Sequence, residues 1–123
     1  MKKVLVVEDN IDNLKLFHYA LTQAGYEVIS VTCGEEGVKR AMQEHPAFII
    51  MDINLPGIDG LEATRRIRAS EVNGNVPIVA ITSFAMDGDK DKILAAGCTA
   101  YFEKPIDPLT LVTEIHAAIG WKE

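Results

Sequence analysis

Residues 48–57 read Phe48-Ile49-Ile50-Met51-Asp52-Ile53-Asn54-Leu55-Pro56-Gly57. Four apolar residues in a row suit a strand covered on both faces, because a strand with one wet face would alternate. The run ends on a carboxylate, and Pro56-Gly57 turn the chain soon after. Similar runs stand on either side, at Lys3 to Val7 and at Ile78 to Ile81. Glu27 to Thr32 alternates and carries fewer hydrophobics, which suits a strand nearer the edge. Thr99 to Phe102 is a weaker fifth candidate.

Helical periodicity fills the gaps. Ile11, Leu14, Phe17 and Leu21 recur at helical spacing up to Gly25, a favourable residue just past a helix end. Val38, Ala41 and Met42 form a shorter stripe that stops before Pro46. Leu61, Thr64 and Ile67 follow Asp59-Gly60. Met86 to Ala96 is rich in charge and poor in apolar anchors, so it should be the least buried helix. Asp107-Pro108 has the form of an N-cap with Pro at the first helical position, leading into Leu109, Val112, Ile115 and Ile119 and ending at Gly120. Strand and helix alternate five times. This predicts an α/β fold with a parallel sheet and helices on both faces.

Composition narrows the function. A chain of 123 residues is the size of one domain. With 48% hydrophobic and 24% charged residues it can build a core, which excludes a disordered chain. The net charge of -6 disfavours wrapping nucleic acid or an anionic membrane. No apolar run is long enough to span a bilayer, and Glu8-Asp9 interrupt the first run too early for a signal peptide. Cys33 and Cys98 are far apart and read as two reduced thiols. The expectation is a cytoplasmic protein of one domain over residues 1–123, with no membrane and no nucleic-acid partner.

In an open parallel sheet, function gathers where strands end at their carboxyl side. There the sequence places Glu8-Asp9, then Asp52 with Asn54, then Thr82-Ser83, then Lys104-Pro105. Carboxylates at one edge repel; two at about 4 Å cost on the order of 4 kcal/mol at an effective dielectric of 20. Either one holds a proton or a cation joins them. Oxygen ligands alone point to a hard cation such as Mg²⁺. With the Thr82 hydroxyl and the Lys104 ammonium added, the set fits an oxyanion carried beside Mg²⁺, most naturally a phosphoryl group.

These residues, in this order and each at a strand end, resemble the receiver domain of bacterial two-component response regulators, over essentially the whole chain. The resemblance implies a flavodoxin-like (βα)5 doubly wound sandwich with strand order 2-1-3-4-5. It implies that Asp52 is the phosphoacceptor for a histidine kinase or histidine phosphotransferase. It implies that Asp9, Asp52 and the backbone carbonyl of Asn54 bind Mg²⁺, with Glu8 acting through water. Thr82 would donate to a phosphoryl oxygen, Lys104 would pair with the carboxylate and then the phosphate, and Lys104-Pro105 would be a cis peptide. Thr82 and Tyr101 would form the switch, read out on the fourth helix, fifth strand and fifth helix by a downstream protein. Asn10 to Phe17 and Ser83 to Asp89 resemble DivK-type single-domain regulators, although receivers of hybrid sensor kinases carry similar stretches. Phe84 departs from the chemotaxis regulator of the family, which has an acid there, whereas Asn54 matches it. These two positions would flank the phosphoryl group and influence water access to it, and the resemblance implies a monomer or a phosphorylation-dependent dimer.

Taken singly, each residue has a plainer role. Glu8-Asp9 could be a solvated strand end, Asp52 and Asn54 turn formers, Thr82 a strand residue, Lys104 a surface lysine and Tyr101 local packing. Phe84 and Met86 fit an interface or local core equally. His18, His45 and His116 fall on predicted helices and suit solvated or packed positions. A flavodoxin-type electron carrier would need a Ser/Thr/Gly-rich phosphate loop where Glu8-Asp9 stand. A phosphohydrolase with an Asp nucleophile would carry it on the first strand, with a second acid two residues later. The remaining readings are a signalling phosphoacceptor that is not an enzyme on other substrates, a receiver fragment of a hybrid kinase, and a docking-only receiver that is never phosphorylated.

Overall fold

The computed structural model describes residues 2–70, 75–83 and 87–120. Strands and helices alternate as β1 (Lys3–Val7), α1 (Ile11–Gln23), β2 (Glu27–Val31), α2 (Gly34–Glu44), β3 (Phe48–Asp52), α3 (Gly60–Ala69), β4 (Ile78–Thr82), α4 (Asp87–Ala95), β5 (Ala100–Glu103) and α5 (Leu111–Ile119). The five strands form one parallel sheet in the order β2-β1-β3-β4-β5. This is the flavodoxin-like architecture; the alternating pattern predicts its parallel sheet with helices on both faces, and the resemblance its strand order.

The sheet is buried on both faces, which is why its inner strands read as continuous apolar runs. Leu5, Val7, Ile49, Met51, Ile78 and Ala80 point to one side, against Ala41, Ala63, Ile67 and Ile93 of α2, α3 and α4. Val4, Val6, Phe48, Ile50, Val79 and Ile81 point to the other, against Phe17, Leu21, Leu111 and Ile115 of α1 and α5. Side chains alternate along each strand, so every inner strand feeds both cores.

Local chemistry sets the helix ends. The Asn10 side chain caps α1 by accepting from Asn13 N–H at 3.0 Å, and Asp59 caps α3 by accepting from Glu62 N–H at 2.8 Å. α2 stops at His45, a left-handed residue with φ 48°, directly before Pro46. Three details of the sequence reading change. Asp107 caps a turn rather than the helix: its carboxylate accepts from Leu109 N–H, and α5 starts only at Leu111. Leu109 is therefore 83% exposed rather than part of the buried stripe. Ile11 of α1 and Met42 of α2 also face outward, at 58% and 44% exposure; on α2 the buried positions are Gly34, Gly37 and Ala41, of which the predicted stripe included only Ala41. The predicted start of the fourth helix at Met86, and the residue Phe84, lie outside the described residues.

Candidate functional site

The register of the sheet brings the strand ends level. Val7 pairs with Met51, Asp52 with Ile81 and Thr82 with Glu103. Backbone bonds carry the pairing one residue further: Glu8 N–H donates to Val31 O at 3.0 Å, Ile53 N–H to Ile81 O at 2.9 Å and Lys104 N–H to Thr82 O at 2.8 Å. Glu8, Asp52, Thr82 and Lys104 are thus delivered to one edge by four different strands. The predicted residues Asp9 and Asn54 lie beside them, at the β1–α1 turn and in the β3–α3 loop, whereas Tyr101 stands further back, within β5 and paired with Ala80.

Two carboxylates are taken out of water there. The Glu8 side chain is 1% exposed and that of Asp52 is 2% exposed. Lys104 holds its Nζ 3.4 Å from Asp52 Oδ1 and 3.5 Å from Glu8 Oε1. Asn54 N–H donates to Asp52 Oδ1 at 3.1 Å, and Asn10 N–H donates to Glu8 Oε2 at 3.3 Å. These donors leave Glu8 Oε1 and Asp52 Oδ2 buried without a hydrogen bond. The site is under-neutralised, and Glu8 registers it. Desolvation first, and then the Asp52 carboxylate, raise its pKa from the usual 4.5 to about 7, against the opposing pull of Asn10 N–H and the Lys104 ammonium.

Oxygens of Glu8, Asp9 and Asp52 all lie within 4.8 Å of one another. A cluster made only of carboxylate oxygens, two of them buried and lacking hydrogen bonds, suits a hard divalent cation. Thr82 is buried at the same edge, and the Lys104–Pro105 peptide is cis. Tyr101 is half-buried on the α2–α3–α4 side, with Lys90 Nζ of α4 5.9 Å from the centre of its ring.

The sequence gives no sign of two further features. Asn54 Nδ2 donates to Ser83 Oγ at 3.3 Å, joining the loops after β3 and β4. A cavity of about 240 Å³ opens beside Asn54 and Thr82. Both depend on contacts between distant segments, which leave no local pattern.

Comparison with known proteins decides the kinship. The model of the response regulator receiver domain matches residues 4–116. The chain belongs to the response regulator receiver family. This receiver is 40% identical to the polar-differentiation response regulator DivK of Brucella ovis, over 97% of each chain. It is 38% identical to the receiver domain of a sensor histidine kinase from Pseudomonas aeruginosa PAO1, with a TM-score of 0.87 over 97% of this chain and 98% of the other; that structure has a magnesium ion coordinated in its active-site cleft. It is 30% identical to the chemotaxis response regulator CheY4 of Vibrio cholerae, with a TM-score of 0.90 over 96% of this chain and 98% of the other. Among the described residues, no helix of the receiver is long and apolar enough to cross a membrane.

Proposed function

We propose that this chain is one receiver domain over residues 1–123 that takes a phosphoryl group on Asp52 from a histidine kinase or histidine phosphotransferase. One observation carries the reading: Asp52 is buried with one oxygen bonded to Asn54 N–H and facing Lys104, and the other without a hydrogen bond. A carboxylate left half-satisfied in a dry site is poised to bond something that enters it. An Asp52 oxygen attacks phosphorus, the phosphorus–nitrogen bond to the donor histidine breaks, and the nitrogen keeps the electron pair. Lys104, already beside the carboxylate, stays with the new phosphoryl charge. Thr82 donates its hydroxyl to a phosphoryl oxygen.

The donor set suits Mg²⁺, as the neighbouring kinase receiver suggests. Asp9, Asp52 and the backbone carbonyl of Asn54 would hold it, with Glu8 acting through water. Bound Mg²⁺ supplies positive charge to the phosphoryl oxygens. The residues need to supply only alignment and charge beyond that.

Phosphorylation then biases packing. Movement of Thr82 towards the new charge changes what Tyr101 packs against, and the face made by α4, β5 and α5 passes the change to a downstream protein. The protein is a cytoplasmic signalling phosphoacceptor, a monomer or a phosphorylation-dependent dimer, whose only chemistry is its own phosphoryl transfer and loss. Its likeness to the kinase receiver favours a second reading, a receiver segment of a hybrid kinase, for which the same site chemistry holds.

Intact mass after incubation with acetyl phosphate and Mg²⁺ tests the proposal. Gain of one phosphoryl group in the wild type, absent in Asp52→Ala and lost with chelator, is the expected result. If neither an acyl phosphate nor a beryllofluoride adduct forms, the docking-only reading replaces it.

A further inference from the structure

Side chains alternate across β5, so Tyr101 stands on the face covered by α4 while Phe102 faces the other core. Across the sheet Tyr101 pairs with Ala80 of β4. Ala80 sets only a methyl group beside the ring. Thr82, two residues further along β4, lies on the same face. On β4, then, no larger side chain of that face separates the ring from the Thr82 hydroxyl. Ile93 of α4 lines the cavity beside Thr82 and belongs to the buried core on which Tyr101 rests. An inward turn of the ring leads towards that core and away from water.

The outer side of the ring has a different neighbour. Lys90 of α4 holds its Nζ 5.9 Å from the ring centre, within the range at which an aromatic face attracts an ammonium. Lys90 is exposed and forms no ion pair with a described residue. Its charge cannot follow a ring into a dry interior, because desolvating an unpaired ammonium costs far more than the attraction returns. The contact therefore exists only while Tyr101 stays half-buried.

We infer that Lys90 is a positioning residue of the switch: its ammonium over the Tyr101 ring favours the half-buried orientation, and so raises the threshold at which an occupied acceptor draws the ring inward. The inference rests on the acceptor reading above and on the coupling of Thr82 to Tyr101 proposed with it. A contact made in one orientation only shifts the balance between two orientations by its own strength. At an exposed site, a cation over an aromatic ring changes such a balance about two- to fivefold. A ligand that binds best with the ring inward has its apparent affinity lowered by the same factor.

Titration of the full chain with beryllofluoride at saturating Mg²⁺ tests this, with bound ligand read by fluorine NMR. The wild type, Lys90→Met and Lys90→Arg are compared, each with Tyr101 and with Tyr101→Leu. Lys90→Met is expected to bind about two- to fivefold more tightly than the wild type, and Lys90→Arg, which keeps a cation, to match the wild type. Losing a positive charge from the neighbourhood of an anion site would by itself weaken binding, so tightening has the opposite sign to plain electrostatics. With Tyr101→Leu, Lys90→Met should give no tightening, and the difference between the two backgrounds isolates the pair. Unchanged or weaker binding in Lys90→Met, or equal tightening with and without the ring, would overturn the role of Lys90 and leave the acceptor reading standing. No bound ligand in any variant, together with no acyl phosphate by mass, would overturn the acceptor reading and the role of Lys90 with it.

Discussion

Lys104, at the end of β5, reaches past the end of β4 to place its Nζ 3.4 Å from Asp52 Oδ1 on β3. Its side chain is 22% exposed and that of Asp52 only 2%, so the lysine is the wet partner of a dry acid. Removing one partner of a buried pair costs about 3–5 kcal/mol, and partial exposure discounts that. Lys104→Met is expected to lower the stability of the metal-free protein by about 1–3 kcal/mol at pH 8. Urea denaturation without metal measures it. An unchanged midpoint would mean that the pair contributes nothing to folding.

Glu8 should make stability depend on pH in an unusual direction. Its folded pKa is raised from 4.5 to about 7, so between those values the folded chain binds the extra proton. The stabilisation from this group is therefore full below pH 4.5 and is lost as pH rises through about 7. Denaturation midpoints of metal-free protein at pH 5, 6, 7 and 8 read it against Glu8→Gln, whose profile should lack that fall. Millimolar Mg²⁺ should restore stability above pH 7, by about 2.7 kcal/mol at 100 times its dissociation constant. A wild-type profile parallel to that of Glu8→Gln would refute the assignment.

Gly60 opens α3 directly against the end of β3. A Cβ there would collide with the carbonyl oxygen of Asp52 and with the backbone of Ile53. Neither neighbour is a side-chain tip that can swing away. Gly60→Ala is expected to cost about 1–3 kcal/mol and to displace Asp52 from its partners. Thermal denaturation reads the first effect and the rate of phosphorylation by acetyl phosphate the second. Retention of both at wild-type values would show that the helix start can retreat at no cost.

Ile115 and Leu109 sit in one apparent apolar stripe of the sequence but in opposite environments. Ile115 is fully buried and Leu109 is 83% exposed. Ile115→Ala should cost about 2–5 kcal/mol. Leu109→Ser should change stability by no more than about 0.5 kcal/mol. Denaturant midpoints compare them, and similar losses for the two would contradict the late start of α5.

That pair also shows how far the sequence could be read. The inner strands were legible because burial on both faces forbids polar interruption, and Phe48 to Met51 has none. The candidate site was legible because Glu8-Asp9, Asp52 and Thr82 stand at the ends of such runs; Lys104 follows the weaker fifth strand, which ends on exposed Glu103. Helix ends were less so. Asp107-Pro108 has the chemistry of a helix start, and Asp107 does cap a turn; only the later backbone shows that α5 begins at Leu111. Ile11 and Met42 fit the helical period yet face water, because neighbours in the fold, not spacing alone, decide which stripe is covered. The reach of Arg68 to Gly97 and of Asn54 to Ser83 joins residues 29 positions apart and has no signature in either segment.

The level strand ends divide the chain into what must be counted and what can be exchanged. Each acidic or basic group of the edge lies at a set number of residues from the start of its own strand. Adding or deleting one residue inside β3 would turn Asp52 from one face of the sheet to the other and empty the site at a stroke. The connections at the opposite, amino-terminal edge carry no such arithmetic. Lengthening the turn after α1 or α2 would leave every charge in its place. An engineer grafting a tag, a sensor or a foreign loop onto this protein should therefore work from that blunt end of the molecule.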